Sequence, residues 1–220
     1  MDNAPWLTIL GWGEDGPDGL TATSAKILQD AEIIVGATRH LDLLPPDYNA
    51  TRFCWPVPFA AGLETFLALR GKKVVLLASG DPFWFGAGTS ITQHLQPEEW
   101  RALPGLSSFS LAAATLGWPL ETTHCLGLHA APLERLRPHL GVSKRLLITL
   151  KDGAMAQKVA QYLSAVGFDR SELHVLERLG GPHQKIRSTR ADRFNLEKIE
   201  HPALLAISPS DGPALPLANG

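Results

Sequence analysis

Hydrophobic positions change their spacing along this chain in a regular way. Trp6-Leu-Thr-Ile-Leu-Gly11 is a short apolar run closed by glycine, an acidic glycine-rich loop follows to Gly19, and Thr21 and Ser24 open a helical pattern that runs through Ala31. A second strand is predicted at Glu32 to Gly36. Beyond a proline-rich stretch around Pro45, Pro46, Pro56 and Pro58, helical spacing returns from Ala61 to Leu69. Lys73-Val-Val-Leu-Leu-Ala-Ser79 is then continuously apolar, the pattern of a strand buried on both faces within a parallel sheet. Helices are predicted at Gly86 to Leu95 and Ser107 to Gly117, and the alternation of strands with helices indicates α/β architecture.

The pattern breaks at Gly117-Trp118-Pro119, where a domain boundary is placed. The second half is read as a strand at His124 to His129, a helix at Pro132 to Leu140, a strand at Arg145 to Leu150 and a helix at Ala154 to Val166. Strands near Leu173 to Leu176, Lys185 to Thr189 and Ala203 to Ile207 follow one another without helices, so a mixed sheet with antiparallel members is expected. The organisation is therefore an N-terminal lobe over 1–118, a C-terminal lobe over 119–208, and a Pro/Gly/Ser-rich linker or tail over 209–220.

Composition narrows the function classes. The 220 residues carry 20 basic and 22 acidic side chains, a formal charge of −2, with 45% hydrophobic residues, so the chain can build a sizeable core and is no polyelectrolyte. A nucleic-acid binder normally shows a basic surplus that is missing here. No apolar run reaches the roughly 18 residues needed to span a bilayer, and the first residues lack the basic and apolar regions of a secretory signal. A cytoplasmic protein is expected. Cys54 and Cys125 show no CxxC or zinc spacing, His124 and His129 are no ligand pair, and no metal is expected.

Gly11-x-Gly13-x-x-Gly16 after a strand fits the dinucleotide fingerprint, but its context argues against that reading. Pro17, Asp18 and Gly19 postpone the helix to about Thr21, so its first amides are not available to a pyrophosphate within the glycines. Glu14 and Asp15 would repel phosphate, and the strand that should end in a ribose-binding acid ends Val35-Gly36-Ala37. A second glycine site, Ser79-Gly80-Asp81-Pro82-Phe83-Trp84-Phe85-Gly86, stands at the C-terminal end of the most apolar strand, where open α/β sheets bind ligands. Gly80 admits close approach, Asp81 brings a carboxylate, and three aromatics bring flat apolar walls. Such a pocket suits a compact cation, for example a sulfonium. The same residues also fit an aspartate capping the next helix beside ordinary core aromatics.

Together, Gly11-x-Gly13-x-x-Gly16 with Gly19-Leu20-Thr21, then Gly80-Asp81-Pro82-x-x-x-Gly86, then Pro104-Gly-Leu-Ser107-Ser108 resemble the tetrapyrrole methylases. These are two-domain S-adenosylmethionine enzymes of the class III methyltransferase fold. Arg39-His40-Leu41, Leu116-Gly-Trp-Pro119 and Glu177-Arg-Leu-Gly-Gly-Pro182 are similar to the branch that methylates precorrin at C-5 in cobalamin synthesis, precorrin-7 to precorrin-8. In that branch a separate C-15 methyltransferase/decarboxylase domain normally follows. One departure is His129-Ala130-Ala131-Pro132, where the branch usually reads His-Gly-Arg-Pro, so a substrate contact from that arginine is not carried over to this chain.

The resemblance implies a parallel-sheet N-terminal lobe, a mixed-sheet C-terminal lobe and a cofactor held between them. Gly80, Asp81, Trp84, Ser107, Ser108, Leu150, Leu179 and Ala203 would line the cofactor. The loop carrying Gly11 and Gly13 would face the tetrapyrrole, with Glu14 and Asp15 either as candidates for a polar or proton-transfer role or as solvated loop acids. A polycarboxylate substrate needs cations, and Arg178 to Arg193 holds five basic residues against one acid. Arg178, Lys185 and Arg187, with Arg39, are the substrate candidates. His40, Arg52, Lys151 and His183 could also contribute, although each of them, like Arg39, individually reads as an ordinary surface residue. The resemblance also implies a homodimer. Open beside this reading are methylation of another precorrin carbon, a diphthine-synthase-like methylase, a non-catalytic tetrapyrrole-binding module and a dinucleotide-dependent oxidoreductase.

Overall fold

A computed structural model describes residues 4–128, 131–141 and 143–212. The chain divides into two compact units, Met1–Ser107 and Ser108–Gly220. In the first, β1 (Leu7–Trp12), β2 (Ile33–Gly36), β3 (Thr51–Cys54), β4 (Val74–Ser79) and β5 (Trp100–Leu103) form one sheet in the order β3-β2-β4-β1-β5. Every pairing is parallel, and β1 lies on β4 from Leu7 against Val74 to Trp12 against Ser79.

The continuous apolar runs are explained by cover on both faces. On one face Leu10, Trp12, Ile34, Val75 and Leu77 pack with Leu28 of α1 (Ala22–Gln29) and Leu41 of α2 (Thr38–Leu41). On the other, Leu7, Ile9, Val35, Val74 and Leu76 pack with Phe66 of α3 (Leu63–Leu67) and Ile91 of α4 (Ala87–Thr92). Each fully buried side chain of this size contributes about 1.5–3 kcal/mol from removal of apolar surface from water. The connection from β2 runs outward to β3, whereas that from β4 crosses β1 to reach β5. Adjacent strands whose connections leave in opposite directions open a crevice at their C-terminal ends, and such crevices hold ligands in open α/β sheets.

The second unit is a mixed sheet. β6 (Thr123–Gly127), β7 (Arg145–Thr149), β8 (Glu172–Glu177), β9 (Lys185–Arg190) and β10 (Ala203–Ser208) run in the order β6-β7-β10-β8-β9. Only β6 with β7 is parallel; β10 pairs antiparallel with β7 and β8, and β8 with β9. α5 (Ser108–Leu116) covers one face through Phe109, Ala112 and Ala113 against Leu147, Leu176 and Leu204. α6 (Gly153–Ala165) covers the other through Ala156, Val159 and Leu163 against Ile148, Leu173 and Leu205. The Asp152 carboxylate accepts the Met155 amide at 3.0 Å and caps the start of α6.

Three differences from the sequence reading have physical causes. The division falls at Ser107/Ser108, ahead of the boundary read at Trp118/Pro119, because the apolar face of α5 belongs to the second core. The helix read over Pro132 to Leu140 is a 3₁₀ helix, Leu133–His139, with Pro138 inside it removing an amide donor. β3, β5 and α2 carry no apolar run and went unread; β3 is a largely exposed edge strand. His129 and Ala130, and residues 213–220 of the tail, lie outside the described residues. No described helix is long and apolar enough to cross a membrane.

Candidate functional site

The C-terminal edge of the first sheet is drawn together by glycine. A Cβ on Gly11 would collide with the Gly105 amide nitrogen and the Gly80 carbonyl, so backbone packs directly on backbone there. Gly80 has φ +55, and a Cβ on it would lie 2.9 Å from the Leu106 carbonyl oxygen and the Ser107 Cα. Its amide donates to the Trp12 carbonyl at 2.9 Å and its carbonyl accepts from Gly105 at 3.1 Å. Both backbone groups of Gly80 are thus committed within the protein, and what the glycine admits is the 105–107 segment. In the first loop the Asp15 carboxylate fills the space that Cβ atoms on Gly13 and Gly19 would need, which is why those positions are glycine. α1 begins only at Ala22, with the Thr21 hydroxyl accepting the Ser24 amide at 3.2 Å; the glycine loop itself closes in a single 3₁₀ turn, Gly16–Gly19, so no α-helix N-terminus opens inside the glycines.

Beside that junction lies a polar cluster at the tips of β1, β2 and β4. Arg39, in α2 directly after β2, donates through NH1 to Glu14 Oε1 at 3.0 Å and through NH2 to Ser79 Oγ. His40 Nε2 lies 3.2 Å from the same Ser79 oxygen. The Arg39 side chain stays 41% exposed, whereas His40 is buried. Burial, and secondly the Arg39 charge, push the His40 pKa down to about 3, against the backbone of Leu77, so the imidazole is neutral at physiological pH. Burial also lowers the Arg39 pKa while Glu14 raises it; its partial exposure and that carboxylate keep the guanidinium charged. His40, read from sequence as a surface residue, is instead built into the edge of the sheet. The sequence carries only an Arg-His pair shortly after one strand and a serine ending another, with nothing that marks their meeting.

Asp81 follows Gly80 and folds back on its own turn. Its Oδ1 accepts the Phe83 amide at 2.8 Å, an Asx turn, while Oδ2 has no partner among the described residues. Phe83, Trp84 and Phe85 are all substantially exposed for aromatics, as is Leu106. One carboxylate oxygen beside exposed rings can accept a hydroxyl or ammonium hydrogen and cover a flat or sulfonium-bearing ligand.

In the second unit, Leu150 and Ala203 are joined by a backbone bond from the Leu150 amide to the Ala203 carbonyl at 3.3 Å. Leu179 follows β8 at the same edge, since β8 and β7 both run antiparallel to β10. The side chains of Leu150 and Leu179 are buried in the two different cores, so at this edge they offer backbone. Thr149 Oγ1, at the end of β7, is buried without a hydrogen-bond partner among the described residues, the kind of group a ligand satisfies. Ser107 is buried at the end of the first unit, and Ser108 begins α5.

The basic stretch is largely paired internally. Arg187 Nε donates to Glu177 Oε2 at 2.8 Å, and NH1 donates to the Glu197 carbonyl at 2.9 Å. Arg190 pairs with Asp192, and Arg178 lies 3.7 Å from Glu200. Lys185 is exposed at the start of β9. Arg52 donates to the carbonyls of Leu41 and Pro45 and so holds the segment after α2, while Lys151 and His183 are exposed.

The family described as Tetrapyrrole (Corrin/Porphyrin) Methylases matches residues 7–195. A Precorrin-6Y C(5,15)-methyltransferase [decarboxylating] of Sinorhizobium sp is 38% identical over 221 residues, covering 99% of this chain and 53% of its own length. The Cobalt-precorrin-7 C(5)-methyltransferase of Salmonella typhimurium is 33% identical over 139 residues, covering 62% of this chain and 69% of its own. A solved uroporphyrin-III C-methyl transferase of Thermus thermophilus, complexed with S-adenyl homocysteine, shares the fold. Its TM-score is 0.67 at 22% identity, covering 92% of this chain and 91% of that one. The chain spans about half the length of the first curated relatives it matches.

Proposed function

The chain belongs to the tetrapyrrole (corrin/porphyrin) methylases, and from that membership we propose that it transfers a methyl group from S-adenosylmethionine to C-5 of a precorrin, taking precorrin-7 to precorrin-8 in cobalamin synthesis. One observation carries the choice of carbon. The same chain aligns with about half of a relative named for two carbons, C(5,15), and with most of a relative named for C(5) alone. That pattern supports reading the matched half as the C-5 half, with a C-15 methyltransferase/decarboxylase as the proposed partner activity.

S-adenosylmethionine, when bound, supplies a sulfonium-borne methyl that moves by in-line displacement, with the positive charge lost as the new bond forms. The residues present fit such a ligand. Asp81 offers one unpaired carboxylate oxygen for a hydroxyl or ammonium group, and Trp84 offers an exposed ring that excludes water. Ser107, Ser108, Leu150, Leu179 and Ala203 are assigned to the cofactor on the family resemblance. The buried Thr149 hydroxyl supports that assignment for the edge beside Leu150. Gly80 contributes by shaping the turn that aims Asp81.

Arg39 and Lys185 are assigned to the substrate's carboxylates, with Arg178 as a further candidate beside Glu200. Arg187 is assigned to holding the second sheet through Glu177. Glu14, fixed by Arg39, and Asp15, enclosed between Gly13 and Gly19, are the proposed polar residues of the substrate loop. Because the acceptor is an electron-rich ring carbon, the protein need provide only position and a dry site, and no covalent nucleophile.

Calorimetry tests the cofactor half of the proposal. S-adenosylhomocysteine should bind, and Asp81→Ala should weaken it about 10- to 100-fold, the range for a lost charge-assisted hydrogen bond. Binding of NADH without binding of S-adenosylhomocysteine would refute it.

A further inference from the structure

We infer that His40 and Ser79 are positioning residues that aim the Arg39 guanidinium at a carboxylate of the substrate, an inference that rests on the tetrapyrrole reading above. Arg39 has five N–H donors, and two are used, one on Glu14 and one on Ser79. The others have no partner among the described residues, and the side chain is 41% exposed. Two donors fixed on different groups set both the position and the plane of the guanidinium. The remaining fork is then held ready for a planar acceptor such as a carboxylate.

Ser79 can fix that plane only if its own proton points elsewhere. Its oxygen receives Arg39 NH2, and the neighbour left for its hydroxyl proton within the cluster is His40 Nε2. The buried ring is neutral and carries one proton. Nδ1 has no hydrogen-bond partner among the described residues, and the relay requires the ring proton to sit there, leaving the Nε2 lone pair toward Ser79. Nε2 is then an acceptor, Ser79 donates to it, and a Ser79 lone pair faces Arg39. The order His40, Ser79, Arg39 is thus a directed chain of hydrogen bonds, each member orienting the next. It stands at the tips of β2 and β4, where the strand connections diverge.

The test measures precorrin-7 affinity at equilibrium on the whole chain, separately from turnover, with S-adenosylhomocysteine affinity as a control. Arg39→Gln should weaken precorrin-7 binding about 10- to 100-fold, and Ser79→Ala about 3- to 10-fold, the scales of charged and neutral hydrogen bonds. Ser79→Thr, which keeps the hydroxyl, should restore affinity, and His40→Gln, which keeps an acceptor, should bind better than His40→Leu. Ser79→Ala placed on Arg39→Gln should add nothing, because the relay acts only through the arginine. S-adenosylhomocysteine affinity should stay constant throughout. Undiminished binding by Ser79→Ala, or fully additive effects in the double variant, would overturn the relay. Retained precorrin-7 binding without methyl transfer would instead overturn the C-5 reaction and leave the relay standing. Failure of the wild-type chain to bind precorrin-7 would overturn both.

Discussion

Replacing Arg187 by alanine separates a role in the fold from a role in substrate binding. Glu177 is 1% exposed, and its two oxygens accept Arg187 Nε at 2.8 Å and the Glu200 amide at 2.8 Å. Without Arg187 that carboxylate keeps one backbone donor and loses its one cationic partner among the described residues, while the Glu197 carbonyl loses a donor as well. Breaking a buried ion pair from one side costs about 3–5 kcal/mol. The Arg187 side chain retains 20% exposure, so water can partly reach the gap and the lower end, about 3 kcal/mol, applies. At roughly 2–4 °C per kcal/mol for a chain of this size, the melting temperature should fall by about 6–12 °C. Urea unfolding and thermal melting read the loss directly. Glu177→Leu with Arg187→Met should recover most of it, because an apolar pair leaves no stranded charge. Arg187→Ala melting at the wild-type temperature while losing tetrapyrrole affinity would refute the reasoning and return Arg187 to the substrate.

Three further outcomes follow from the geometry. Gly80→Ala should destabilise by about 2–4 kcal/mol, from a positive φ and a Cβ pressed on Leu106 and Ser107, and denaturant unfolding would show it. His40 has a folded pKa of about 3 against an ordinary 6.5, so between those values the unfolded chain binds the extra proton. Its contribution is complete above about pH 6.5 and is lost as pH falls, at up to about 1.4 kcal/mol per pH unit. His40→Gln should flatten the stability profile between pH 6 and 4 relative to wild type; His139 and His174, also shifted down by burial, cancel in that difference. Burial pushes the Cys125 thiol up to about 11, whereas Cys54 is exposed, so iodoacetamide at pH 8 should label Cys54 and spare Cys125 until the protein unfolds.

The strands legible in the sequence were those whose burial is written in continuous apolar residues, such as Val74 to Ala78 and Leu204 to Ile207. Thr51-Arg-Phe-Cys54 and Trp100-Arg-Ala-Leu103 were not, because edge and half-covered strands need no such run and are specified by pairing with β2 and β1. The site divides along similar lines. Glycine spacing announced the junction at Gly11 and Gly80, but only coordinates reveal that Gly80 makes room for its own chain. Charge counting singled out Arg178 to Arg193 as a cationic surface. It could not see that Glu177 and Glu200, just outside that window, pair with Arg187 and Arg178. His40 and Ser79 lie 39 positions apart, and a single sequence carries no mark of their meeting.

Methyl transfer to C-5 can be observed outright. The purified chain is incubated with S-adenosylmethionine and precorrin-7, and the product is examined by mass spectrometry and by NMR with a labelled methyl. A gain of one methyl, carried on C-5, is expected. An unchanged mass under conditions where S-adenosylhomocysteine binds, or a methyl on another carbon, would contradict it.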